Sequence, residues 1–387
     1  MILRILGSNK GLLYVAIGNL LGAILTGSFW LLLATILNVS DYGNINYLIA
    51  VGSISSFISL FGLNTTVTTF LAKGYSRINV QANQLITITG ILAAALLTIV
   101  MGWEIGLLVL GMMFWIMSQY ELLGKKQYTK YAIVVSGARG TQIILCLVLY
   151  YLFGVTGIVI GFAVSFLLFS YVYFRSVRNF TLKFNVLRST GKFSLHAYSF
   201  NMTTAFLMYF DKLVIMPLFG SAVLGYYQIS LQFLLLLGMI PISLYQYLLT
   251  EESSGSKTGK IRILGFSSSF GLALLLFALG PWVISTFFPN FVNSIEAVRI
   301  TSIGIIPMTA TWVINSRFFS MNETRYVAIG SVIFLTSQFV LILLLGNFMG
   351  VSGLAIALDV ALTLQSIYLY FSKIRLDRMR SSLTVVE

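Results

Sequence analysis

The feature that most limits what this chain can become is a series of apolar runs, each near the length of a membrane crossing, that recurs from residue 11 to residue 372. A helix needs about 20 residues to cross roughly 30 Å of hydrocarbon. Twelve stretches meet that requirement: 11–37, 45–62, 85–102, 104–121, 131–153, 155–175, 193–218, 221–247, 263–288, 295–316, 326–348 and 351–372. They use most of the 387 residues and leave no interval long enough for a soluble domain. Only 9% of residues are charged and the mean hydropathy is +0.93, whereas a soluble globular chain carries about 25% charged residues. The pattern therefore predicts an all-α integral membrane protein of twelve transmembrane helices. It excludes a soluble enzyme and a disordered chain. The first run is longer than the apolar core of a signal peptide, which makes it an uncleaved first span.

The basic residues orient the spans. If the N-terminus is inside, alternate connections collect Arg4, Lys10, Lys73, Arg77, Lys125, Lys126, Lys130, Arg175, Arg178, Lys183, Arg188, Lys192, Lys257, Lys260, Arg262, Arg317, Arg325, Lys373, Arg375, Arg378 and Arg380. That is 21 of the 24 cations, and the opposite side holds only Arg299. The positive-inside rule then predicts a multi-pass protein of the cell (inner) membrane with both termini cytoplasmic. The +13 net charge is thus a topology signal and an attraction for anionic membrane lipids, and nucleic acid is not an expected partner.

The halves of the chain resemble one another. GVTGIVIG at 154–161 parallels GVSGLAIA at 350–357, and YTKYAIVV at 128–135 parallels ETRYVAIG at 323–330. LLLATILNVSDYGNINY at 31–47 aligns with LVIMPLFGSAVLGYYQI at 213–229, which sets Gly43 against Gly225. A repeat of six spans enters the membrane from the same side each time. The expectation is two pseudo-symmetric six-helix bundles, 1–178 and 179–387, around a central cavity. That is a transporter's plan.

The motifs of membrane enzymes are missing from the sequence. There is no HExxH, no GxGxxG, no Walker loop and no GxSxG. One histidine (His196) and one cysteine (Cys146) cannot build a paired-cysteine zinc site. The prediction is a carrier with no catalytic residues, no metal and no cofactor, driven by a gradient or by its substrate.

Ionisable residues inside spans are costly and mark sites. Arg139 lies about 12 Å into the fifth span, in the polar stretch GARGTQ that also holds Gln142. A guanidinium suits a diphosphate through bidentate hydrogen bonds. Asp211 and Asp359 each lie about eight residues from the same end of their spans and are candidates for ion coupling. Lys212 is a further cavity candidate. Consecutive helical positions point about 100° apart, so Lys212 is expected to bridge to Asp359 and not to Asp211. Glu121 and Arg317, at the ends of their spans, are a candidate gate pair, with His196 near the same boundary. On the repeat alignment Asp211, Lys212 and Asp359 fall opposite Phe29, Trp30 and Ala163, and Arg139 opposite Phe334. Anion binding is thus assigned to the first half and ion coupling to the second.

Several segments together resemble a known family. LLLATILNVSDYGNINYLIAVGSISSFISLFGLNTTVTTFLAKG at 31–74, with Asp41-Tyr42-Gly43 after the first span and Gly62-Leu63-Asn64 near the end of the second, resembles the opening of polysaccharide flippases. YFDKLVIMPLFG at 209–220 resembles that family's seventh helix, with Asp211 in its usual place, and GVTG and GVSG resemble its glycine turns. These are the Wzx-like O-antigen and capsule translocases of the multidrug/oligosaccharidyl-lipid/polysaccharide (MOP) exporter superfamily. The resemblance implies alternating access between two six-helix lobes. It implies flipping of a polyprenyl-diphosphate-linked oligosaccharide from the cytoplasmic to the outer leaflet, for lipopolysaccharide or other cell-surface polysaccharide biosynthesis. Coupling to H+ or Na+ and a polysaccharide polymerase as partner go with it. The alternatives are a drug/cation antiporter of the same superfamily, a lipid-linked murein precursor flippase, a membrane-embedded polysaccharide polymerase and a non-transporting membrane protein. The antiporter would want a buried carboxylate in the first half, and Glu104 and Glu121 both read as end residues.

Overall fold

The computed structural model describes residues 10–178, 184–253, 259–321 and 323–384. Long apolar runs without strand periodicity give helices throughout. In chain order they are α1 (Lys10–Ile36), α2 (Val39–Leu60), α3 (Leu63–Ala72), α4 (Ile78–Met101), α5 (Trp103–Gly124), α6 (Tyr128–Phe153), α7 (Val155–Leu168), α8 (Tyr171–Val177), α9 (Asn185–Ser189), α10 (Gly191–Phe219), α11 (Ser221–Ser253) and α12 (Gly259–Phe287). A 3-10 turn (Pro289–Ser294) leads to α13 (Ile295–Ile303), α14 (Ile305–Ser320) and α15 (Thr324–Thr384). Among the described residues ten helices are long and apolar enough to cross a membrane, or eleven if α7 and α8, bent by 59° at their junction, are one span. This is a multi-pass membrane protein.

Two of the boundaries that differ from the sequence reading bear on the sites. Asp41-Tyr42-Gly43 is not a connection but lies inside the first turns of α2. Asn38 precedes the helix and caps it: its Oδ1 accepts the Asp41 N–H at 2.8 Å, and its Nδ2 donates to Asp41 Oδ2 at 2.7 Å. The third span begins at Ile78 and not near 85. Asn79, Gln81, Asn83 and Gln84 look like a connection by hydropathy, yet all four are buried in the first turns of α4.

The glycines that repeat across the halves do the same work in each. Gly154 (φ 63°) ends α6, and Gly350 (φ 55°) breaks α15 into two helices. Both are conformations that favour glycine. Three residues on, a methyl on Gly157 would overlap the Leu149 carbonyl, and one on Gly353 the Leu345 carbonyl. The turn is thus the same twice over.

The chain separates into two compact units: the described parts of Met1–Trp30 with Ile45–Leu213, and Leu31–Asn44 with Val214–Glu387. In the first, Leu60, Leu63, Val67, Ile86, Met113, Phe114 and Tyr173 form a core that α2 to α5 and α8 share. In the second, Ile314, Phe318, Leu369 and Leu376 pack α14 on α15. The spans sort into inner and lipid-facing. In the most apolar windows of α2 and α5, 61% and 72% of residues are buried, against 22% in α4 and 28% in α6. In the second half α11 and the 289–320 segment are the inner ones, at 56% and 67%. The second and fourth spans of each repeat therefore carry the core, and apolar faces such as Ile91, Leu92, Leu96 and Ile99 of α4 are left for lipid.

Candidate substrate and ion sites

Arg139 projects from α6 onto an aromatic seat. Its guanidinium carbon lies 4.9 Å from the ring centre of Trp115 on α5 and 5.2 Å from that of Phe166 on α7. The two rings are themselves stacked, 4.5 Å apart at 17°, and the Trp115 indole N–H is tied to the Val134 carbonyl at 3.3 Å. Arg139 Nη1 donates to Gln142 Oε1 at 2.8 Å. Gln142 is one turn on and buried, and Arg139 is half-buried. The seat continues through Phe162 to Phe29 and Trp30 of α1. Two of the three cavity candidates, Arg139 and Gln142, are thus brought together. A cation held on aromatic faces by one hydrogen bond keeps donors for an anion without the neutralisation that a carboxylate would impose.

The expected partner of Lys212, the third candidate, is corrected. Its Nζ donates to Asp211 Oδ1 at 3.1 Å and to the Met208 carbonyl at 3.1 Å, and both side chains are buried. Asp211 Oδ1 also accepts the Lys212 backbone N–H at 2.9 Å. Directions taken at Cβ mislead here, because the four-carbon stem of lysine folds back along the helix and reaches both its neighbour and the carbonyl one turn earlier.

Asp359, in the second helix of α15, lies against Gly304, the residue between α13 and α14. A methyl on Gly304 would overlap the carboxyl. Asp359 Oδ1 is buried and has no hydrogen-bond partner among the described residues. On α14, Thr311 Oγ1 and Asn315 Oδ1, one turn apart, are likewise buried and unpartnered. A carboxyl oxygen buried without a donor carries a desolvation cost.

Each gate candidate with a charge has a partner within its own unit. Arg317 pairs with Asp377 of α15, and Glu121 with Lys125. Glu121 is not an end residue in a solvated position but 1% exposed. Asn79 Nδ2 donates to its Oε1 at 2.9 Å and Asn83 Nδ2 to its Oε2 at 3.2 Å. The two asparagines, one turn apart on α4, meet it from the facing helix. His196 is exposed on α10, with no part in either arrangement.

No family model and no curated protein matches the sequence. Solved structures do match the fold. A multidrug resistance MATE family transporter of the MOP superfamily in an inward-facing conformation superposes with a TM-score of 0.72 at 12% identity, over 96% of this chain and 99% of that one. The lipid II flippase MurJ gives 0.65 at 16% identity, over 93% and 87%. A MOP superfamily transporter from Pyrococcus furiosus gives 0.61 at 13% identity, over 96% of each. The chain has the MOP transporter fold.

Within the MOP fold, the sequence reading missed the residues that act only across helices. Trp115 and Phe166 looked like ordinary apolar residues of separate spans. The Asn79/Asn83 pair was hidden in what read as a connection. Its signal was there: two asparagines four apart, NVQAN, show one face of a helix.

Proposed function

We propose that this protein is a transporter that flips a polyprenyl-diphosphate-linked oligosaccharide from the cytoplasmic to the outer leaflet for cell-surface polysaccharide biosynthesis. In this reading α7 with α8 is one span and Gly350 divides α15 into two, which makes twelve helices. They are grouped as six-helix bundles 1–178 and 179–387 that work by alternating access around a central cavity. Both termini are cytoplasmic in the inner membrane, and a polysaccharide polymerase consumes the product. The observation that carries the proposal is the guanidinium of Arg139 on the Trp115–Phe166 seat with Gln142. A diphosphate takes the cation, and a sugar ring takes the face of Trp30, the half-buried end of the aromatic row. Asp211 and Asp359 are the residues for coupling to H+ or Na+. The likeness to a lipid II flippase supports a lipid-linked substrate; the chain performs no catalysis in this scheme.

The direct test is reconstitution into proteoliposomes with a fluorescent lipid-linked oligosaccharide. Arg139→Ala should abolish flipping of the diphosphate-linked substrate while the protein stays folded. Undiminished flipping by that variant would refute the assignment. One observation favours a second reading, the drug/cation antiporter: Glu121 supplies the buried carboxylate in the first half that the sequence reading found lacking. Proton-driven export of a cationic dye that Glu121→Gln abolishes would decide for it.

A further inference from the structure

At the basic end of the first unit the helix ends do not close up. A cavity of about 460 Å3 opens between the start of α4, the end of α5, the start of α6 and the bent segment α8. Asn79, Glu121, Lys125, Lys130, Arg175 and Ser176 are among its walls. Three cations face one carboxylate, and that carboxylate is already occupied by Lys125 and two asparagine amides. Lys130 and Arg175 make no ion pair among the described residues and are exposed. Asn79 keeps a buried carbonyl oxygen with no donor. Next to it, a second cavity of about 470 Å3 between the first turns of α1 and α6 shares Gln127 and Lys130 with the first and adds Lys126.

We infer that this pair of cavities binds the phosphate of an anionic lipid headgroup. The site is separate from Arg139 and does not depend on the transport reading. Three wall segments are ends of the membrane-spanning helices α4, α5 and α6, which sets the cavity at the level of the headgroups, with exposed Tyr171 of α8 at its rim. Basic pockets between transmembrane helices at that level select phosphate-bearing lipids. Arg175 and Lys130 supply the uncommitted charge. The glycerol hydroxyls of phosphatidylglycerol supply the donor that the Asn79 wall lacks. Free phosphate shares the anion chemistry but carries neither the hydroxyls nor the acyl chains.

The test is native mass spectrometry of the full-length protein in detergent, titrated with phosphatidylglycerol, with phosphatidylcholine and with inorganic phosphate. Phosphatidylglycerol should be retained and phosphatidylcholine should not. The variant Lys130→Gln/Arg175→Gln should weaken retention about 30-fold, from roughly 1 kcal/mol per cation near the surface. Arg325→Gln/Arg375→Gln, which removes the same charge elsewhere, should leave it unchanged, and Lys130→Arg/Arg175→Lys should restore it. Equal retention of the two lipids by the unaltered protein overturns the proposal without reference to any variant. So does an equal loss in both glutamine variants. If inorganic phosphate alone competes at the lipid's own concentration, the lipid source is refuted and a soluble phosphate site stands in its place.

Discussion

Alanine at Gly43 tests whether the repeat read in the sequence is a physical contact. Gly43 and Gly225 align in the two halves, and in the second unit they pack reciprocally. A methyl on Gly43 would stand 2.7 Å from the Gly225 backbone nitrogen and closer still to the Ser221 carbonyl oxygen. One on Gly225 would stand 3.0 Å from the Val39 carbonyl carbon and closer to its oxygen. Val39 and Ser221 also align with each other. All these atoms are backbone, so no rotamer relieves the overlap and α2 must move off α11. Overpacking of this kind costs about 1–3 kcal/mol. We expect Gly43→Ala and Gly225→Ala each to cost about 2 kcal/mol, because the contacts are mirror copies. Once the helices have parted for one methyl, the second finds the gap open. The double variant should then cost about 3 kcal/mol and not 4, a coupling of roughly 1 kcal/mol. Denaturation in mixed micelles of the two single variants, the double and the parent gives the cycle. Strict additivity, or single costs below about 0.5 kcal/mol, the scatter expected of independent sites, would refute the reciprocal contact.

Three further expectations follow from single residues. Glu121→Ala leaves the Asn79 and Asn83 amides without their acceptor and should cost about 3 kcal/mol, and Glu121→Gln, which keeps one acceptor oxygen, about half of that, read from melting in detergent. Gly154→Ala and Gly350→Ala place a side chain at positive φ and should each destabilise by about 1–3 kcal/mol, with matched losses because the turns match. Asp359→Asn keeps the shape of a half-buried group whose Oδ1 has no donor, so it should leave melting within about 1 kcal/mol while flattening the dependence of transport on an ion gradient; a gradient dependence that survives removes Asp359 from coupling.

What was legible in the sequence followed from burial in lipid. Hydropathy gave the spans because a membrane helix must satisfy every backbone group internally and show apolar side chains outward. The repeat was legible at Gly154/Gly350, where a positive φ favours glycine, and at Gly43/Gly225, where facing backbone leaves no room for a Cβ. The hydrogen bond between Arg139 and Gln142 is a finding of the structure, and the two residues were legible as members of one polar stretch. The start of α4 was not, because its amides are satisfied by another helix and read locally as a polar connection. Glu121 was misread for the same reason: its partners Asn79 and Asn83 lie about forty residues away in sequence, and proximity to a span end is no measure of burial. The Lys212–Asp211 pair failed because Cβ directions were applied to a side chain long enough to ignore them.

The symmetry of the backbone also sharpens what Asp359 means. In the first half Gly111 of α5 crosses α7 at Ala163, where a methyl on the glycine would lie 2.7 Å from the Ala163 carbonyl oxygen. In the second half Gly304 crosses α15 at Asp359, and Ala163 and Asp359 are aligned. Ala163 meets its glycine through backbone atoms, whereas Asp359 meets Gly304 through its carboxyl. The first-half crossing shows that packing a glycine against this position does not call for an acid. A carboxyl at a glycine crossing adds an unpartnered buried oxygen and costs desolvation, a cost that the proton or cation of the proposed coupling would offset. Arg139 repeats the logic in reverse: its counterpart Phe334 is buried and apolar, and the charge appears only on the half that carries the aromatic seat. The shared glycines build a common frame, and the halves differ at Arg139 in one and Asp359 in the other, the positions on which the proposed function rests.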